Sequence, residues 1–229
     1  MCWEICKMMI IIENLTKYIK KRLILDHINL SLEGGYIYGF RGINGSGKTM
    51  LMRAICGMIH PTSGSISVDG KRIHSGQAYP VPIGALIENP SFLRECTGYE
   101  NLKLLADLRG LSEENEVIKS IQVLGLDPKD KRLYREYSLG MRQRLGIAAA
   151  IMGSPELIVL DEPINALDEN GVKTVRDILF NLKSRERIII IACHDREEMN
   201  YLADRIYILE EGRIIGEENG EKKMVHVSI

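Results

Sequence analysis

Gly42-Ile43-Asn44-Gly45-Ser46-Gly47-Lys48-Thr49 has the residue types and spacing that hold a phosphate: glycine, four residues, then Gly-Lys-Thr. Glycines let the backbone take positive φ and approach an anion without a Cβ clash. Successive N–H groups, Asn44 to Gly47 among them, then point into one concavity. A helix starting near Lys48 adds the positive end of its dipole. In this chemistry Lys48 reaches the β- and γ-phosphates and the Thr49 hydroxyl ligates Mg²⁺. The stretch therefore implies a nucleoside triphosphate as ligand.

Two further stretches could act on that ligand. In Leu157-Ile158-Val159-Leu160-Asp161-Glu162-Pro163 an apolar strand ends in two carboxylates. Ligands of open α/β sheets bind at the carboxyl ends of strands. Asp161 is placed there to hold Mg²⁺, and Glu162 to polarise an attacking water. In Tyr137-Ser138-Leu139-Gly140-Met141-Arg142-Gln143-Arg144 a serine stands at an N-cap position and a glycine keeps the backbone open. Such a helix start can bind a second anion, although periodicity by itself equally describes a capped amphipathic helix with a basic face.

The elements that must position these groups can be read from pattern. Strands are expected at 8–13, 23–32, 36–40, 65–70 and 83–88, with polar Asn14 to Arg22 linking the first two. Helical spacing follows at 98–109, and a second helix, capped by Ser112-Glu113-Glu114, runs to Gly125. Strand–helix alternation then returns from Leu157, with Ile188-Ile189-Ile190-Ile191-Ala192-Cys193 suited to a buried parallel strand. The pattern gives an α/β fold with a mainly parallel sheet. Its core covers about 8–88 and 155–217, interrupted by a helical insert at about 89–154. The charged segment Glu217 to Lys223 reads as a solvated tail.

Composition excludes several classes. The 45% hydrophobic and 27% charged content of the 229 residues is that of a globular domain. Net charge is −1, from 30 basic and 31 acidic residues, without the basic excess of a nucleic-acid binder. Five scattered cysteines, Cys2, Cys6, Cys56, Cys96 and Cys193, point to a reducing cytoplasmic compartment rather than a disulfide framework or a zinc site. No apolar run approaches the ~18 residues of a membrane span. Met1 to Lys7, which holds the single tryptophan Trp3, is too short and polar for a signal peptide and offers no other pattern.

The order of these motifs resembles the ATP-binding subunit of ABC transporters from about Ile10 to Gly216. The family signature, Leu-Ser-Gly-Gly-Gln, is kept here at Ser138 and Gly140, with Tyr137, Leu139 and Met141 replacing its other members. Tyr-Ser-Leu-Gly-Met-Arg-Gln-Arg and the stretch Leu86-Ile87-Glu88-Asn89-Pro90 are similar to the branch of drug, bacitracin and lantibiotic export and immunity pumps. The resemblance implies a P-loop core with an antiparallel N-terminal β-subdomain. It implies Tyr18 as the aromatic residue stacking on adenine, Asp168 in a loop communicating across a dimer, and His194 as the switch histidine near the γ-phosphate. Glu88 stands where the family has a glutamine that touches Mg²⁺ or its water. A carboxylate there could still ligate the ion while adding negative charge near Glu162.

What the resemblance implies for function is an ATPase. Two subunits, identical or different, would close around ATP between Lys48 and Thr49 of one and Ser138 and Gly140 of the other. A separate transmembrane permease would hold the pair at the inner face of the membrane and export a drug or antimicrobial peptide. The competing reading is a soluble clamp for DNA repair or translation built on the same ATPase head. The insert shows no sustained heptads for the coiled coil such a clamp would need. A kinase on a phosphate-loop scaffold would leave the Ser138 helix unexplained.

Overall fold

The computed structural model describes residues 7–220 apart from Ser112. Met1–Cys6, the cap expected at Ser112 and the end of the charged tail, 221–223, lie outside the described residues.

Two sheets carry the fold. The first orders its strands β2-β1-β4-β5, all antiparallel: β1 (Met9–Ile19), β2 (Arg22–Glu33), β4 (Ser63–Val68) and β5 (Lys71–Arg72). The second orders β10-β9-β3-β8-β7-β6, with β3 (Ile37–Arg41), β6 (Ile83–Leu86), β7 (Leu157–Asp161), β8 (Ile188–Ala192) and β9 (Arg205–Glu210) parallel. β10 (Arg213–Asn219) adds an antiparallel edge. A mainly parallel sheet and an antiparallel N-terminal sheet are thus both present.

The polar stretch expected to separate the first two strands belongs to them. β1 continues through Tyr18 to Ile19, its register shifted at three places between Ile12 and Tyr18. Such irregularities carry polar residues through a strand without an alternating pattern. The tail reading also needs correction at its start. Glu217 and Glu218 pair with Tyr207 and Ile206 of β9, and an edge strand accepts charges on its open side.

Apolar runs become strands because both faces of the parallel sheet are covered. Ile158, Leu160, Ile189 and Ile191 enter one core with the helices of the insert. Their neighbours Leu157, Val159, Ile188 and Ile190 enter a second core, shared with the antiparallel sheet and α1 (Lys48–Ile55). The insert supplies α2 (Gly98–Leu108), α3 (Glu114–Val123) and α4 (Leu139–Ile151), and α5 (Glu169–Leu182) and α6 (Arg196–Leu202) return to the parallel sheet.

Buried Asn101 fixes how the insert begins. Its Nδ2 donates to the carbonyls of Leu93 (3.0 Å) and Thr97 (2.9 Å), and its Oδ1 accepts from the Leu93 amide at 2.8 Å. Asn101→Ala leaves the Leu93 amide without its partner and takes one donor from each of two carbonyls that keep a backbone N–H, so urea denaturation should show a loss of about 2 kcal/mol.

Candidate functional site

β3 ends at Arg41, and the chain turns through the glycine-rich loop into α1. The loop needs its glycines: Gly45 and Gly47 have φ of 83° and 107°, in a region costly for other residues. Gly47 is also the N-cap of α1 and has no side chain to accept the first helical amides. Those N–H groups stay available to an anion. Ser46 is buried, and its Oγ has no hydrogen-bond partner among the described residues. Lys48, also buried, folds back so that its Nζ donates to the carbonyls of Gly42 (2.6 Å) and Ile43 (3.1 Å). These carbonyls hold the ammonium where phosphate oxygens would compete for it.

β7 delivers Asp161 beside this loop. Thr49 Oγ1 donates to Asp161 Oδ2 at 2.7 Å. One residue on, Glu162 takes a positive φ of 49°, which turns its side chain away from the strand. Its Oε2 lies 2.9 Å from Nδ1 of His194, just after β8. The backbone of this corner is held from α4: Gln143 Nε2 donates to the carbonyls of Glu162 (3.0 Å) and Pro163 (3.2 Å). Gln143 was not singled out from sequence, since nothing local marks a buried glutamine as a tether between two motifs. Burial pushes the Cys193 thiol up to about 12, so the cysteine beside His194 is no nucleophile at neutral pH.

A cleft of about 340 Å³ opens here, lined by Asn44, Gly45, Gly47, Lys48, Thr49, Asp161 and Glu162, with Arg22 and Ile24 from β2 on its far wall. The donor set fits Mg²⁺. One buried carboxylate and one hydroxyl are too few for an all-protein cage, and they suit an ion bound mainly by phosphate and water.

Other expected residues lie apart. Ser138 is exposed and caps α4, its Oγ accepting from the Met141 amide at 3.2 Å. Gly140 packs so closely on the loop after β7 that a Cβ would come within 2.9 Å of the Ala166 carbonyl. Neither lines the Lys48 cleft. Asp168 caps α5 through the Gly171 amide and pairs with Arg144 of α4 at 2.7 Å. The amide first, and then Arg144, hold its carboxyl below the ordinary range.

Two expected residues are not among those that line the cleft. Glu88, expected to touch Mg²⁺, is not drawn into the cleft. With φ at 64° its carboxylate pairs with Arg53 of α1 at 2.6 Å, so a neighbouring cation answers its charge. Glu88→Gln should therefore change the ATPase rate and its Mg²⁺ dependence by less than about threefold, as for a partly exposed ion pair. Tyr18, expected against adenine, sits opposite Leu23, whereas Ile19 sits opposite Arg22. Arg22 and Ile24 line the cleft, and Tyr18 is half exposed beside them at the hairpin tip.

A phosphate loop at a strand end, a carboxylate pair on the neighbouring strand and a helical insert between them form one cassette. Residues 25–165, more than half of the chain, match the family described as ABC transporter. The chain belongs to the ABC transporter family. YybJ of Bacillus subtilis, an uncharacterized ABC transporter ATP-binding protein, is 43% identical over 93% of this chain and 97% of its own length. The bacitracin transport ATP-binding protein BcrA of Enterococcus faecalis is 41% identical over 90% of this chain and 68% of its own. Among solved structures, an ATP-binding subunit of an ABC transporter superposes with a TM-score of 0.84 at 25% identity, covering 92% of this chain and 90% of that one. The chain is accordingly an ATP-binding, ATP-hydrolysing subunit of an ABC transporter, and the clamp reading is set aside.

Proposed function

We propose that this ABC subunit hydrolyses ATP in a site shared by two chains and drives export through a separate permease. The observation that carries the shared site is the separation of its halves. Lys48, Thr49, Asp161 and Glu162 line one cleft, while exposed Ser138 opens α4 outside it. A second chain would bring its own α4 N-terminus to the first chain's phosphate loop, where free amides and the Ser138 hydroxyl can meet the γ-phosphate.

Each residue of this chain has a role in that arrangement. The loop amides and Lys48 hold the β- and γ-phosphates, and Lys48 exchanges its carbonyl partners for phosphate oxygens. Thr49 and Asp161 would hold Mg²⁺, which would supply charge neutralisation at the phosphates. Glu162 takes a proton from the attacking water, and His194 holds the carboxylate at one oxygen so that the other is free to accept it. If Asp161 holds the ion, Asp161→Asn should raise the Mg²⁺ concentration for half-maximal ATPase by about tenfold or more, measured by Mg²⁺ titration.

No helix among the described residues is long and apolar enough to cross a membrane. A groove of about 800 Å³ between β6 and α2 supports docking of a permease, with Leu93, Leu104 and Leu108 exposed along it. An intracellular helix of the permease with apolar side chains fits this wall, and it would hold the subunit at the cytoplasmic face. The likeness to BcrA favours a peptide antibiotic as cargo. Co-purification with a membrane protein, abolished by Leu108→Asp at an 86% exposed position, tests the docking; retention of the partner by that variant would contradict it.

A further inference from the structure

We infer that Asp26 and Arg213 are positioning residues for ATP: together they clamp the β9–β10 turn against the phosphate loop and keep that loop in its binding form. The inference rests on reading the Lys48 cleft as the ATP site. Neither residue lines that cleft. Both line a separate hollow whose walls are β2 and β10.

The turn, Glu211-Gly212, lies directly on the loop. The Gly212 amide donates to the Ser46 carbonyl at 3.0 Å, and a Cβ on Gly47 would come within 3.4 Å of Gly212 Cα. A Cβ on Gly42 would meet the Leu209 carbonyl at 2.3 Å, so the end of β9 touches the first glycine of the loop as well. Gly212 is held to β2 just as closely. Its carbonyl accepts from the Asp26 amide at 2.8 Å, and a Cβ on it would stand 2.3 Å from the Ile24 carbonyl. One peptide thus joins the phosphate loop to the antiparallel sheet.

Asp26 grips the next residue with its side chain. The carboxylate is buried, and Arg213 reaches its Oδ2 with Nε at 2.6 Å and Nη2 at 2.5 Å. The other oxygen, Oδ1, lies 2.6 Å from His27 Nδ1. His27 first, and then Arg213, hold this carboxyl below the ordinary range, so it is ionised at neutral pH. Hydrogen bonds between charged groups are the stronger ones. A loop kept in its binding form loses little freedom when phosphates arrive. A loop released from its support must be ordered by the ligand, which weakens binding. The clamp bears on the loop and on neither base nor ribose, so every ligand carrying the same phosphates should feel it equally.

Titrations of the full chain with MgATP and with inorganic triphosphate test this, alongside urea denaturation. Arg213→Ala removes a side chain that is 68% exposed, so the core stays intact. It should weaken MgATP about fivefold, within the range for a network residue without ligand contact. Triphosphate should weaken by the same factor. Arg213→Lys returns a charged donor to Oδ2 and should bind MgATP within about twofold of wild type. Asp26→Asn combined with Arg213→Ala should lose about as much as the weaker-binding single variant, because both act through one contact. A clamp that only supports the fold would lower the urea midpoint of Arg213→Ala and leave both affinities unchanged, and that result overturns the inference. A loss for MgATP that triphosphate does not share would also overturn it, as would losses that multiply in the double variant. Lys48→Ala is the separate control: undiminished MgATP binding by that variant would refute the cleft as the ATP site, whatever Arg213→Ala does.

Discussion

Glu162→Gln should slow ATP hydrolysis by about 10²- to 10⁴-fold while leaving MgATP binding within a few fold of wild type. The amide keeps the shape of the side chain and can still meet His194 Nδ1, now 2.9 Å from the carboxylate. It cannot take a proton from water at neutral pH. The positive φ at Glu162 and the two hydrogen bonds from Gln143 belong to the backbone, so the corner keeps its form. Steady-state phosphate release together with nucleotide titration separates the two effects. A variant with a wild-type rate would remove Glu162 from the role of base.

Lys48→Ala should weaken ATP binding by about 10- to 100-fold, the range for losing a hydrogen bond to a charged group. The apo geometry makes this a binding effect more than a folding one. Lys48 Nζ is held by two carbonyls of its own loop, Gly42 and Ile43, and these can turn to water once the ammonium is gone. Titration with a fluorescent ATP analogue reads the loss, and a urea midpoint near that of wild type shows that the fold is kept.

Much of this site was legible because its groups sit at the ends of continuous apolar strands. Asp161 and Glu162 follow Leu157–Leu160, and His194 follows Ile188–Cys193. Parallel neighbours in the sheet, β7 and β8, carry both ends to one edge. The contact of Thr49 with Asp161 adds β3's own loop to that edge. A strand that is apolar on both faces has little freedom over where it ends, and the motif follows it there.

The register of β1 shows where sequence reading loses its hold. On a strand, a shift of one residue moves a side chain to the other face, and β1 shifts register between Ile12 and Leu15, Leu15 and Lys17, and Lys17 and Tyr18. No composition rule counts those shifts, so the face of the hairpin on which Tyr18 lies cannot be read from the sequence. Glu88 is a different case. Its partner Arg53 lies on α1, far from it in the chain, and nothing local foretells the ion pair. Glu217 and Glu218 looked like a tail because edge strands need only one covered side, and alternation in β10 is between half-buried and exposed positions.

The two-chain site is the central claim, and ATP-dependent association tests it most directly. Gel filtration of Glu162→Gln should give a monomer without nucleotide and a dimer with MgATP, because the base that would release the pair is gone. Adding Ser138→Arg, which puts bulk and charge at the exposed start of α4, should return that protein to a monomer with ATP still bound. A Glu162→Gln chain that binds MgATP and remains monomeric, or a dimer indifferent to Ser138→Arg, would contradict the account.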